Sequence, residues 1–102
     1  MVNEKRPEIV WDIEAKIQLQ AIIKEIKQDS IQGAEIVRNV ILNSIGKIPD
    51  NPYRYPPDKF KSKNIGNYRS FEIYNYRITY KVMEYQILIL RIRHSKREPL
   101  DY

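Results

Sequence analysis

The side chains that could do chemistry gather in the last third of the chain. Arg69, Arg77, Arg91, Arg93 and Arg97 punctuate it, with His94 where an apolar run stops and Tyr102 beyond. A guanidinium is a planar fork of donors that fits phosphate or carboxylate oxygens, but it stays protonated and moves no proton. Any proton transfer therefore falls to His94, the only histidine, to Tyr102 or to a lysine. A second group lies just before. Arg54, Lys59, Lys61 and Lys63 alternate with Tyr53, Tyr55 and Phe60. Cations interleaved with rings can track a phosphate backbone and stack bases. The same composition also describes a solvated loop whose aromatics pin it to a core.

Other chemistries are poorly served. The chain has no cysteine and one histidine, which excludes disulfides, thiolate sites and a multi-histidine metal site. It has no phosphate-cradling glycine motif and no nucleophile elbow. His94 and Ser95 are adjacent, but neighbours in sequence seldom face each other, and no Ser-His-carboxylate triad is evident. Neither a metal nor another cofactor is expected.

At 102 residues, 42 % hydrophobic and 30 % charged, the chain reads as one domain spanning 1–102. Its formal charge is +5 and its pI about 9.5, which suits a polyanionic partner. The first residues carry no apolar signal segment, and no apolar run approaches the ~20 residues of a membrane span. The reading is a cytoplasmic protein with no membrane partner.

Several elements must position these groups. Glu8–Trp11 is a brief strand or an extended lead-in. Asp12 is a candidate N-cap for a helix over about 13–28. Its apolar stripe is Ala15, Leu19, Ile22, Ile23 and Ile26, with Ile13 and Ile17 widening it. Ser30 caps a second helix with the stripe Ala34, Val37, Ile41, Ile45 and Ile48, stopped by Pro49. So short a link folds the two helices into an antiparallel hairpin. The segment 49–67 holds four prolines and is irregular. Three strands follow, over 68–73, 76–83 and 86–93. Ile87 to Leu90 is apolar without alternation, as in a central strand. The turn near Glu84 and Tyr85 lacks glycine, so the hairpin register stays open, and a one-residue slip exchanges the faces.

This order of elements resembles the RelE/ParE superfamily of bacterial toxins. The likeness is carried by Tyr76-Arg77-Ile78-Thr79-Tyr80-Lys81-Val82, by Ile89-Leu90-Arg91-Ile92-Arg93-His94, and by Arg97-Glu98-Pro99. Trp11-Asp12 with Ala15 and Leu19, and the Asn51-Pro52 and Tyr55-Pro56 loop, also fit. The resemblance implies an α+β fold: a short N-terminal strand and an antiparallel helical hairpin packed on a C-terminal antiparallel β-meander. It further implies the toxin half of a type II toxin–antitoxin module, with a cognate antitoxin as partner.

RelE-like members cut mRNA on the ribosome, whereas ParE-like members bind and block DNA gyrase. An inactive homologue that only binds its antitoxin, or a plain RNA-binding module, would keep the same fold. On the RelE-like pattern, Arg69, Arg77 and Arg97 match catalytic positions, Tyr102 stands for the base-stacking tyrosine about one residue out of register, and His94 could fill the place of the histidine of other ribosome-dependent relatives. The second basic position of the first meander strand is Phe71 here. Lys59, Lys61, Lys63, Arg91 and Arg93 would then contact RNA. The reading is ribosome-dependent, metal-independent mRNA cleavage, with gyrase inhibition as the alternative.

Overall fold

The structure, a computed structural model, describes residues 6–96 and 101–102. Strand β1 (Glu8–Trp11) leads into helices α1 (Ile13–Asp29) and α2 (Ile31–Gly46), and then a 3-10 turn (Ile48–Asp50). After a long loop come β2 (Tyr68–Ile73), β3 (Tyr76–Val82) and β4 (Gln86–His94).

Both predicted caps form. Asp12 accepts the Glu14 N–H at 2.9 Å, and the Ser30 hydroxyl accepts that of Gly33 at 2.8 Å. Ser30 also closes α1, its N–H donating to the Ile26 carbonyl. One residue thus ends one helix and starts the next, which forces the hairpin. Among the described residues no helix is long and apolar enough to cross a membrane.

The four strands form one sheet in the order β1-β4-β3-β2. The three C-terminal strands are an antiparallel meander, as the resemblance implied, and β1 adds itself in parallel to β4, pairing Ile9 with Ile87 and Trp11 with Ile89. Strand β4 is therefore central. Beyond the end of β1 its outer edge would be bare, but Gln18 on α1 accepts the Ile92 N–H at 2.8 Å.

The helices cover one face of the sheet. Ala15, Ile41, Ile45 and Ile48 meet Phe71, Ile78, Tyr80, Ile87, Ile89 and Ile92 in a single core. Ile13 and Ile17 do not join it and remain 65 % and 53 % exposed. Each lies two residues from Ala15, about 200° around the helix and so on its outer side.

A β-bulge decides which side chains reach the other face. Thr79 pairs with Arg91 and Tyr80 with Ile89, leaving Leu90 as the extra residue in β4. The in-out alternation of β4 is thereby shifted by one after Ile89. Ile92 and His94 turn to the helix face, and Arg91 and Arg93 turn away from it beside Thr79 and Arg77.

Candidate functional site

The loop between the 3-10 turn and β2 carries the site from one face of the sheet to the other. On the helix face Tyr55 stacks on Phe71 with ring centroids 4.2 Å apart. The chain then rounds the β2 edge, where Pro57 bridges Arg69, Asp58 N–H donates to the Tyr68 carbonyl, and Ser70 N–H donates to that of Pro56. Asn64 holds the return. Its amide donates to the Asp58 and Tyr68 carbonyls, and its oxygen accepts the Gly66 N–H, with Gly66 at φ +103°. The loop thus delivers Asp58 and Phe60 to the face opposite the helices.

Asp58 is the hub of that face. It is 2 % exposed, a charged group taken almost wholly out of water. One carboxylate oxygen accepts from Arg77 Nη2 at 2.9 Å and from the Phe60 N–H at 3.1 Å. The other accepts the Tyr102 hydroxyl at 2.6 Å and, more weakly, that of Thr79 at 3.4 Å. Burial alone would push the Asp58 carboxyl up. The bonds from Tyr102, Phe60 and Arg77, with the Arg77 charge, outweigh it and hold the group below the ordinary aspartate value. Burial, then the Asp58 bond and charge, push the Tyr102 phenol up.

Arg77 is equally engaged. Beyond Asp58 it donates to Ser70 Oγ at 2.6 Å, and its guanidinium lies 4.7 Å over the Phe60 ring. Its Nε has no hydrogen-bond partner among the described residues. Around this hub the face is cationic and aromatic. Lys61 sits 4.9 Å from the Tyr68 ring and 5.3 Å from that of Tyr102, Lys81 sits 5.3 Å from Tyr68, and Arg91 lies 4.4 Å over Tyr102.

The residues singled out from the sequence divide between the two faces. Arg77, Arg91, Arg93, Lys61 and Tyr102 come together on the open face, where Arg77 and Arg93 are direct cross-strand partners. Arg69 does not join them. It pairs with buried Tyr80, bonds the Tyr55 carbonyl at 2.8 Å and that of Gly66 at 2.9 Å, and stacks on Tyr53. It fastens the loop on the helix side. His94 is also on that side, opposite Tyr76, with its Nδ1 accepting the Lys96 N–H. Lys59 is exposed at the rim over Phe60, and Lys63 is exposed in the loop at φ +55°. Arg97 lies outside the described residues.

Sequence reasoning missed Asp58, Ser70 and Thr79. One signal was present: Asp58 is the sole acidic residue between Asp50 and Glu72, in a stretch with Arg54, Lys59, Lys61, Lys63 and Arg69.

A second concavity lies along the helices. A groove of about 490 Å³ has Leu19, Ile23 and Leu42 in its floor and Lys24, Lys27 and Arg38 on its rim, with no acidic side chain lining it.

A helical hairpin on one side of a small mixed sheet places the chain in the α+β class. Residues 9–99 match the family described as ParE toxin of type II toxin–antitoxin system, parDE, and the chain belongs to that family. Two solved structures share the fold. One is from the chromosomal ParDE TA system of P. aeruginosa, at TM-score 0.71 and 17 % identity over 89 % of this chain and 98 % of that one. The other is the YoeB dimer from Staphylococcus aureus, at TM-score 0.51 and 19 % identity over 87 % and 97 %. No curated protein matches the sequence.

Proposed function

We propose that this toxin acts by occupying a macromolecular target, as the ParE-like members of the superfamily do with DNA gyrase, and not by cutting RNA. The observation that carries this reading is the separation of proton-transfer groups from the arginine cluster. The only histidine faces the helices, whereas Arg77 faces away from them. Tyr102 is beside the cluster, but its proton is committed to Asp58 at 2.6 Å and its phenol is pushed up. Self-cleavage of RNA at a 2′-hydroxyl needs a group that accepts a proton near neutrality and another that returns one. Arg77, neutralised by a buried carboxylate, has little positive charge left for a crowded phosphate.

The experiment is a gyrase supercoiling assay and an mRNA cleavage assay on programmed ribosomes, run on one preparation. Inhibited supercoiling with intact mRNA is expected. A cut in the decoding-site codon that Arg77→Ala abolishes without unfolding the protein would overturn the reading.

The family implies a cognate antitoxin. The basic-rimmed groove between α1 and α2 fits an amphipathic helix with an acidic border, apolar anchors in the floor and carboxylates at Lys24, Lys27 and Arg38.

A further inference from the structure

Two loops meet at the end of the sheet away from the Tyr74-Asn75 turn. One is the Asn64 loop that returns to β2, and the other is the turn from Met83 to Gln86 between β3 and β4. Val82 N–H donates to the Asn67 carbonyl at 2.7 Å and joins them. Between them they hold out three large apolar side chains. Ile65 is 90 % exposed, Tyr85 73 % and Met83 41 %. None of the three lines the groove along α1 and α2.

The backbone gives these side chains no way in. Ile65 is the middle residue of a turn closed by Asn64, whose side-chain oxygen accepts the Gly66 and Tyr68 N–H groups at 2.9 and 3.3 Å. The same amide donates to the Asp58 and Tyr68 carbonyls. One asparagine thus fixes the loop, and the one apolar side chain between Phe60 and Tyr68 is left in water. The second turn is closed by the Met83 N–H, which donates to the Gln86 carbonyl at 2.9 Å, and the Tyr85 carbonyl accepts the Glu8 N–H of β1 at 3.0 Å. Large apolar groups on so fixed a backbone lose little freedom when something covers them, and a tyrosine among them is a frequent interface anchor.

Charge at this tip is balanced. Lys63 and Lys81 stand against Glu8 and Glu84, on a chain of net charge +5. A polyanion is better served by the open face, whereas an apolar cleft with a neutral border is matched here. We propose that the tip is the anchor by which the toxin holds its target, and that the target offers a protein cleft, apolar and without net charge, that takes Ile65, Met83 and Tyr85. This rests on the reading that the toxin acts by occupying a macromolecule. The cations of the open face set the approach, and the tip sets how long the complex lasts.

The test is inhibition of gyrase supercoiling by the full chain, with binding to the purified enzyme followed in real time. Ile65→Ser and Tyr85→Ser are each expected to weaken both by about tenfold, and the two with Met83→Ser by roughly a hundredfold. The loss should be faster dissociation, with the association rate and its salt dependence unchanged. Tyr85→Phe should keep its inhibition, because the ring is the anchor. Ile31→Ser, at an isoleucine 72 % exposed where the helices join, should change nothing. Should the triple variant lose its fold, the two single serines decide. A wild type that neither binds nor inhibits gyrase overturns the target reading and this anchor with it. A wild type that inhibits, with serine variants equally potent, overturns the anchor alone. A loss in Tyr85→Phe or Ile31→Ser as large as in Tyr85→Ser overturns it as well. Dimers of the chain, or adhesion to neutral phosphatidylcholine vesicles, abolished by the same serines would overturn the protein cleft in favour of a second copy or a bilayer.

Discussion

Replacing Asp58 by alanine should be among the most damaging single changes in the molecule, although the residue sits in a loop. The side chain is 1 % exposed and that of Arg77 is 12 % exposed, so their 2.9 Å contact is a buried ion pair and not a surface one. Removing the carboxylate leaves the guanidinium with Ser70 and a distant Glu72, whose carboxylate is 4.0 Å away and half exposed. Breaking a buried pair by taking one partner costs about 3–5 kcal/mol, because the other charge stays buried without its counterion. A domain of this size holds about 5–15 kcal/mol in all. In urea, with a slope of about 1.5 kcal/mol per molar, the midpoint should fall by roughly 2–3 M at unchanged slope. Arg77→Met added to Asp58→Ala should recover part of the loss, since no charge is then stranded. A loss below about 1 kcal/mol, the range of exposed pairs, would mean that Arg77 is hydrated and that Asp58 is not the hub described above.

Three further outcomes follow from the same geometry. Asp58 titrates below its unfolded value, so its contribution is complete at neutral pH and is lost as pH falls below about 4 through the folded pKa; an acid unfolding curve of Asp58→Ala should lack that segment. Burial pushes the Tyr80 phenol up to about 12, and its hydroxyl donates to the Pro52 carbonyl at 2.7 Å; Tyr80→Phe should lose about 1 kcal/mol in thermal denaturation and loosen the loop to hydrogen exchange around residue 52. Charge reversal at Lys24, Lys27 and Arg38 together should weaken antitoxin binding by at least about tenfold in calorimetry, with little change in melting temperature because all three are exposed; unchanged affinity would remove the groove as the docking place.

Much of the architecture could be read from residue spacing. The caps at Asp12 and Ser30, the core stripe from Ala15 to Ile45, and the three meander strands all express local rules of helix ends and alternation. What could not be read was long-range. The parallel pairing of β1 with β4 joins residues nearly eighty positions apart and leaves no mark on a four-residue strand. The hub at Asp58 depends on a loop that rounds the sheet edge, and nothing local says which face a proline-rich loop will end on. Arg69 and His94 looked equivalent to Arg77 and Arg93 because sequence reports residue type, whereas the two sets are separated by the sheet itself.

The bulge at Leu90 shows how narrow that separation is. In an unbroken ladder Ile87, Ile89, Arg91 and Arg93 would share one face, because strand side chains alternate with a period of two. Two guanidiniums would then lie under α1 in place of the buried Ile92. One extra residue shifts the phase, so Ile92 enters the core fully buried and both arginines emerge beside Arg77 and Thr79. The same shift turns the sole histidine toward the helices. A single inserted position in β4 therefore both gathers the cations on one face and removes the only histidine from it. On the reading proposed above, that cationic face holds an anionic or acidic surface, and the bulge that builds it leaves the histidine on the other side of the sheet.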